Sequence, residues 1–471
     1  MESKHLLPLT QAVILALATG GAHAASITVN TAGDSGGSGT CTLRQAIESA
    51  NTDSVQGNCA AGSGADTITF ASNITSVALT SGQLLINSSV TLNGGGQTIT
   101  AAPNSRVMSI VNNANTVSTV NLSDLTLTGG NYGPPGAGLS IGTPSGPPVR
   151  PAHSTSANAP RPAANGPTVS LNRVTVSSNT SNVHAGGVYI SASTVDITQS
   201  TISGNSLAAS GNYAAGGIYI TNGSDVTITD STISGNSASG PDKYLAGGVY
   251  AWGSQLTVIN STITGNGAYG IDYLAGGASV AYGPAAIYNS TISGNTTSTS
   301  SNVAAGGILV GAENVASLAL VNTILTGNTG TQADMGVYAS SNVIAQFNLL
   351  GTALQSTYSG NGNVFSDAPG LGALGNNGGP TLTMKPNTGS PALGAGSVAL
   401  IPAGVTTDQR GTGFARVVNG SLDVGAVEAA AGAGAVAAAT VPTPALSTWA
   451  LTLLGGLLAL LGLRKRKRAD G

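Results

Sequence analysis

The sequence predicts an all-β fold, a right-handed single-stranded parallel β-helix with an N-terminal capping helix and a C-terminal transmembrane helix. Three observations predict the coil. Gly-Gly pairs at 186–187, 216–217, 247–248, 276–277 and 306–307 recur at spacings of 30, 31, 29 and 30 residues. A second phrase lies between them: Thr-Ile-Ser-Gly-Asn at 201–205, 232–236 and 291–295, Thr-Ile-Thr-Gly-Asn at 262–266 and Ile-Leu-Thr-Gly-Asn at 324–328. Short runs such as Val188-Tyr189-Ile190 and Val226-Thr227-Ile228 alternate at period two, one face in and one face out. A unit of this size cannot bury its apolar side alone, and stacked units share one interior.

Composition agrees. Of 471 residues only 7% are charged and 4% aromatic, 68 are Gly, yet 41% are hydrophobic, which excludes a disordered chain. Between the two ends, nine basic residues face 16 acidic ones, a net charge near −7. That balance excludes nucleic acid, which needs clustered Lys and Arg.

Like side chains should stack over like at the turns. The asparagines 205, 236, 266, 295 and 328 form one such column, and Gln199, Asp230, Asn260, Asn289 and Asn322 a second. At strand spacing both can form amide ladders. The coil region is expected over 66–350. Seven prolines crowd residues 142–167, and prolines cannot donate to a ladder, so that stretch is expected to be an inserted loop. Ahead of the coils, over 25–65, Thr42 and Gln45 have capping-box spacing. Leu43, Ala46, Ile47 and Ala50 then share one helical face, a lid for the first coil.

Both ends read as targeting devices. Residues 1–24 carry Lys4, an apolar core and the small-x-small site Ala22-His23-Ala24, so the mature chain is expected to start at Ala25. At the other end, a linker (429–445) containing Pro442 and Thr443 precedes the apolar stretch Leu446 to Leu463. Trp449 and the block Arg464, Lys465, Arg466, Lys467, Arg468 complete a sorting signal over 446–468. The basic block should stay cytoplasmic with the helix in the inner membrane, leaving the body outside. In that oxidising compartment Cys41 and Cys59 are expected to form a disulfide.

These segments carry a family resemblance. The Pro-Thr, Trp, apolar and Arg-rich order resembles the IPTL-type C-terminal sorting signals of Gram-negative bacteria, which implies a membrane sorting protease as partner. Cys41-Thr42-Leu43-Arg44-Gln45-Ala46 resembles the C-S-L-R-E-A motif of bacterial surface β-helix proteins. Gly-Gly-Val-Tyr-Ile and Ser-Gly-Asn resemble the repeats of polymorphic outer-membrane proteins. Within 351–428, Asn376 to Thr381, Ser390-Pro391-Ala392, Thr407 to Gly411 and Asp423 to Glu428 resemble the choice-of-anchor module. Together these imply display on the cell surface or release outside it.

No cofactor or metal site is expected. His153 and His184 have no partner at ligand spacing, and Gly33-Asp34-Ser35-Gly36-Gly37 lacks the preceding His and Asp that a serine protease requires. A polysaccharide lyase or glycoside hydrolase is the enzymatic alternative. It would need Asp196, Asp225, Asp230, Asp242 and Asp272 to converge on one groove. The preferred expectation is an adhesive or structural surface. Tyr189, Tyr219 and Tyr250 should point outward on adjacent coils beside Trp252, an aromatic row suited to a polysaccharide or another surface protein.

Overall fold

The computed structural model describes residues 24–429, apart from 114–115, 134, 144–164, 209–212, 242–243, 299–302, 312–314, 339–340 and 355–357. The signal segment, the sorting segment and most of the Pro-rich stretch therefore lie outside the described residues. So do the cleavage-site residues Ala22 and His23.

The chain winds as an all-β, right-handed parallel solenoid. The coil that begins at Asp225 shows the plan. Strand Asp225–Thr229 leads through Asp230, whose φ is +51°, into Thr232–Ser234. Gly235 (φ +62°) turns the chain into Ser237–Ser239, and the coil returns through Tyr244–Ala246 and Val249–Trp252. Every step pairs in parallel with the same step one coil away: Val226 lies between Val195 and Leu256, and Ile233 between Ile202 and Ile263. Among the described residues, nine strands stack on the face that holds Val249–Trp252. Inward Val, Ile and Leu, among them Ile190, Ile197, Ile202, Ile228 and Ile263, fill one continuous core. Each such side chain contributes about 1.5–3 kcal/mol by leaving water.

The double glycines do form one column. Gly187 N–H donates to Gly216 O, Gly217 N–H to Gly247 O and Gly248 N–H to Gly276 O, each at 3.0 Å. A Cβ at Gly248 would sit 2.4 Å from Gly277 O, so the coils could not approach with any side chain there.

The repeat asparagines form the expected ladder, and it extends one rung earlier. Asn179, Asn205, Asn236, Asn266 and Asn295 each donate through Nδ2 to the next Asn Oδ1 at 2.9 Å. The same Oδ1 atoms accept the backbone N–H of the preceding rung. The ladder ends on Asp334, whose Oδ1 accepts both the N–H and Nδ2 of Asn328 at 3.0 Å. A carboxylate suits that end because it needs no further acceptor.

The second expected ladder is corrected. Gln199, Asp230, Asn260, Asn289 and Asn322 all take positive φ, between +47° and +51°. They make the bend between two strands, and within the column only the rung from Asn260 Nδ2 to Asp230 Oδ1 (3.2 Å) follows the expected pattern among the amide contacts described. The stacking role passes to the next residue. Ser200, Ser231 and Ser261 each donate a backbone N–H to the hydroxyl of the following coil at 3.0–3.1 Å, and Ser290 donates to Thr323 at 3.2 Å.

At the N-terminal side, helix Leu43–Thr52 starts with the expected capping box, Thr42 bonded to the Gln45 backbone and Gln45 to the Thr42 backbone. Leu43, Ala46, Ile47 and Ala50 join the main core. Cys41 and Cys59 are disulfide-bonded. Asp34, in the protease-like segment, is instead a structural anchor. It takes two bonds from Arg44 at 2.8 and 3.0 Å and the backbone N–H groups of Thr80 and Ser81. Burial works to raise its carboxyl; the Arg44 bonds and the two amides outweigh that and hold it below the usual range.

Candidate functional site

The aromatic row is not on the surface. Tyr189, Tyr219, Tyr250 and Trp252 are only 1–2% exposed. Alternation does turn them away from the main core, as Val188 and Ile190 turn into it. Each coil then makes an excursion that covers them. Strands Tyr213–Ala215, Tyr244–Ala246, Tyr273–Ala275 and Ala304–Ala305 form a separate four-stranded sheet. One side of that sheet packs Ala214, Leu245 and Leu274 against Leu207, Ala238 and Ala268. The other side lays Tyr213, Ala215, Tyr244 and Ala246 over the aromatic row. Tyr213 stacks on Tyr244 and Tyr244 on Tyr273, both at 4.9 Å, while Tyr219 and Tyr250 lie 5.5 Å apart. The expected glycan-contacting row is thus a second core.

The other outer face carries the C-terminal segment. From Leu371 onward the chain has little regular structure and packs back along the bends and the threonines that follow them. Gln409 sits between two coils. Its Oε1 accepts from Thr262 Oγ1 at 2.6 Å, and its Nε2 donates to Thr232 Oγ1 at 2.9 Å and to Ser231 O at 3.1 Å. Thr232 Oγ1 donates to Leu382 O, and Thr381 Oγ1 to Asp230 O. Asn260 Nδ2 donates to Thr407 O, Asn322 Nδ2 to Ser397 O, and Ala426 N–H to Thr291 Oγ1. Two of the bend residues, Asn260 and Asn322, thus spend their side-chain amides sideways on the C-terminal segment instead of on a full ladder.

The charged phrases singled out near the C-terminus hold this segment together from inside. Arg410 pairs with Asp408 at 2.6 Å, stacks its guanidinium over Phe414 at 3.9 Å, and donates to Glu428 O. Arg416, fully buried, pairs with Glu428 and donates to the carbonyls of Gly425 and Asp423. Asp423 accepts the N–H groups of Gly394 and Ala429, each at 2.7 Å. Burial pushes Glu428 up to about 7; Arg416 opposes this and Asp423 adds to it. Burial also pushes Asp230, beneath the segment, up to about 6. Its bond from Asn260 opposes that shift, Asp408 reinforces it and Arg416 opposes it.

The four aspartates among the described residues are not gathered into one groove. Asp196 and Asp225 lie on the strands before the bend, Asp230 is covered by the C-terminal segment, and Asp272 lies in the loop between Gly267–Tyr269 and Tyr273–Ala275. Asp242 is outside the described residues. No group of three or more His, Cys, Asp or Glu side chains among the described residues could hold a metal ion.

The threonine face is left open ahead of the covered coils. There a shallow groove of about 430 Å³ is lined by Gly95, Gly96, Asp124, Leu125, Thr126, Arg173 and Thr175. Arg173 Nε and Nη2 grip Asp124 at 2.5 and 2.7 Å, and that bond, with a smaller opposing effect of burial, holds Asp124 low. Around the pair stand Asn93, Asn121, Ser123 and Asn172, all on the outer side of their strands. The chemistry offered is hydroxyl, amide and one exposed ion pair.

The comparisons agree with this architecture. The family described as a right handed beta helix region matches residues 163–350. The family described as the IPTL-CTERM motif matches residues 442–468.

The chain is a β-helix protein with a C-terminal sorting motif.

The β-helix match begins within the last residues of the Pro-rich stretch and ends at Leu350, in the strand Leu349–Leu350. The motif match includes Pro442, Thr443, Trp449 and the basic block Arg464 to Arg468. It suggests an exported, cell-surface protein. No helix among the described residues is long and apolar enough to cross a membrane, and Leu446 to Leu463 lie outside them. No curated protein matches the chain.

Proposed function

We propose that this β-helix protein is an adhesive or structural rod displayed on the envelope of a Gram-negative bacterium. In this reading the signal segment is removed after Ala24. The stretch Leu446 to Leu463 holds the chain in the inner membrane during sorting, and a membrane sorting protease acts near Pro442-Thr443. Helix Leu43–Thr52 closes the first coil against edge-to-edge pairing. The C-terminal segment, whose motifs resemble the choice-of-anchor module, transmits the tether to the rod.

One observation carries the reading: the IPTL-CTERM match begins thirteen residues beyond Ala429, and Ala429 itself is bonded to Asp423 within the segment clamped on the coils. A tether leaving from that point pulls on the solenoid rather than on a loose tail. The polar groove around Asp124 and Arg173 is the surface best suited to a neutral glycan, since hydroxyls and amides match sugar hydroxyls without a net charge. The enzymatic alternative has less support, because the four of its aspartates among the described residues lie on separate elements.

The test is fractionation of cells expressing the full chain, a chain ending at residue 440, and a chain with Arg464 to Arg468 replaced by Ser. Sorting requires the intact protein in the envelope, the truncated chain in the soluble exported fraction, and the Ser variant misplaced. Equal distribution of all three sinks the reading. A glycan array with the intact protein and with Arg173→Ala tests the groove.

A further inference from the structure

The strand Ser26–Val29 is preceded by an acidic socket. Ala25 N–H donates to Asp66 Oδ1 at 2.8 Å, and Ser63 N–H reaches the same oxygen at 2.8 Å. Ala25 O in turn accepts Thr67 N–H at 2.8 Å, so the residue is held from both sides, and strand Ser26–Val29 pairs onward with Thr67 to Phe70. Asp66 is fully buried, yet among the described residues its Oδ2 has no hydrogen-bond partner. Gly62 walls that oxygen: a Cβ there would lie 2.7 Å from Oδ2. A buried carboxylate with one oxygen unsatisfied and no ion pair described for it is costly.

The sequence supplies the missing group. In the intact precursor Ala25 N is a peptide nitrogen with one hydrogen, already used on Oδ1. We propose that cleavage after Ala24 converts Ala25 into an α-ammonium that pairs with Asp66, filling the vacant bonding of Oδ2 and locking the first strand onto the solenoid. Water, delivered by a signal peptidase, adds across the Ala24–Ala25 bond. The carboxylate leaves on Ala24, and the new amine takes up a proton. Three N–H donors and a full positive charge then stand where one neutral donor stood. The ion pair is absent from the precursor, so the coil end tightens only after processing. A chain in transit through the membrane is thereby kept easier to unfold than the exported product. The inference rests on the export reading proposed above.

The test uses the exported full chain. Intact mass should place its first residue at Ala25. Its α-amine should react with an amine-directed acylating label at pH 7 at least about tenfold slower than an ordinary α-amine, whose pKa lies near 7.7–8.0. Asp66→Asn should restore the ordinary labelling rate. A variant exported with one extra Gly before Ala25 keeps Asp66 but displaces the ammonium, and should lose unfolding midpoint relative to the parent. That loss should vanish when Asp66→Asn is also present. A start at Ala25 with ordinary labelling and no effect of the extra Gly overturns the ion pair. An exported chain with a different first residue overturns the cleavage assignment and leaves export standing. A chain that is never exported overturns both.

Discussion

Gln409 accepts a hydrogen bond from Thr262 at 2.6 Å although 147 residues separate them. The same amide donates to Ser231, Thr232 and Thr381, so one side chain staples the C-terminal segment across two coils. Replacing it leaves several buried polar groups without partners. Gln409→Ala should lower stability by about 2–3 kcal/mol. Limited proteolysis should then cut within 371–429 before it cuts the coils. Unchanged protease resistance would show that the staple is dispensable.

The asparagine ladder should behave as a cooperative column. Asn266 makes four side-chain bonds, accepting from Asn236 N–H and Nδ2 and donating to Ile233 O and Asn295 Oδ1. Asn266→Ala should cost about 3 kcal/mol. Asn266→Asp should be at least as damaging, since a carboxylate cannot donate to Ile233 O or Asn295. Denaturant unfolding should read both, with the transition splitting because a weakened middle coil uncouples the two halves of a solenoid.

The buried aromatic row predicts a stability effect instead of a binding effect. Tyr219→Ala and Trp252→Ala should each destabilise by about 3–5 kcal/mol through loss of packing under the covering sheet. Thermal denaturation checks this. A folded variant of unchanged stability with lost ligand binding would reverse the assignment and return these residues to the surface.

The junction beneath the C-terminal segment should loosen as pH rises. Asp230 is raised from its ordinary 3.8 to about 6 by burial, and Glu428 from 4.5 to about 7. A carboxyl raised on folding binds its proton more tightly in the folded state. Its contribution is therefore fully present below the unfolded value and is lost as pH climbs through the folded one. Stability should fall between about pH 4 and 7, and Asp230→Asn should remove only Asp230's own share, which lies between about pH 4 and 6, leaving the Glu428 share up to about pH 7. Equilibrium unfolding across this range gives the slope directly, and a curve unaffected by Asp230→Asn would contradict it.

The exposed pair of Asp124 and Arg173 should matter little for folding. Arg173→Ala should change stability by about 1 kcal/mol or less, because water screens both partners. That makes it a clean probe of the groove, since any loss of glycan retention on the array would not come from unfolding.

The thirty-residue period, the double-glycine column, the asparagine ladder, the capping box and the disulfide pairing were all legible in order along the chain. The first three depend on one coil repeating beside the next and the capping box on spacing within one helix, so spacing encodes them, while the disulfide follows from an exported chain with two cysteines. The serine column is also written in the sequence, in the recurring Gln-Ser-Thr, Asp-Ser-Thr and Asn-Ser-Thr phrases, one position after the bend residues. What spacing could not reveal is what lies over an outward face. Alternation turned Tyr219 and Trp252 out of the main core. Only the excursion through Tyr213, Tyr244 and Tyr273, folding back as a sheet, turned that outside into a second inside. Likewise Asn260 and Asn322 look like ladder rungs until the segment around Gln409 arrives from more than 70 residues away and takes their hydrogen bonds. Period two tells which way a side chain leaves its strand, whereas burial depends on whatever else the chain brings to that side.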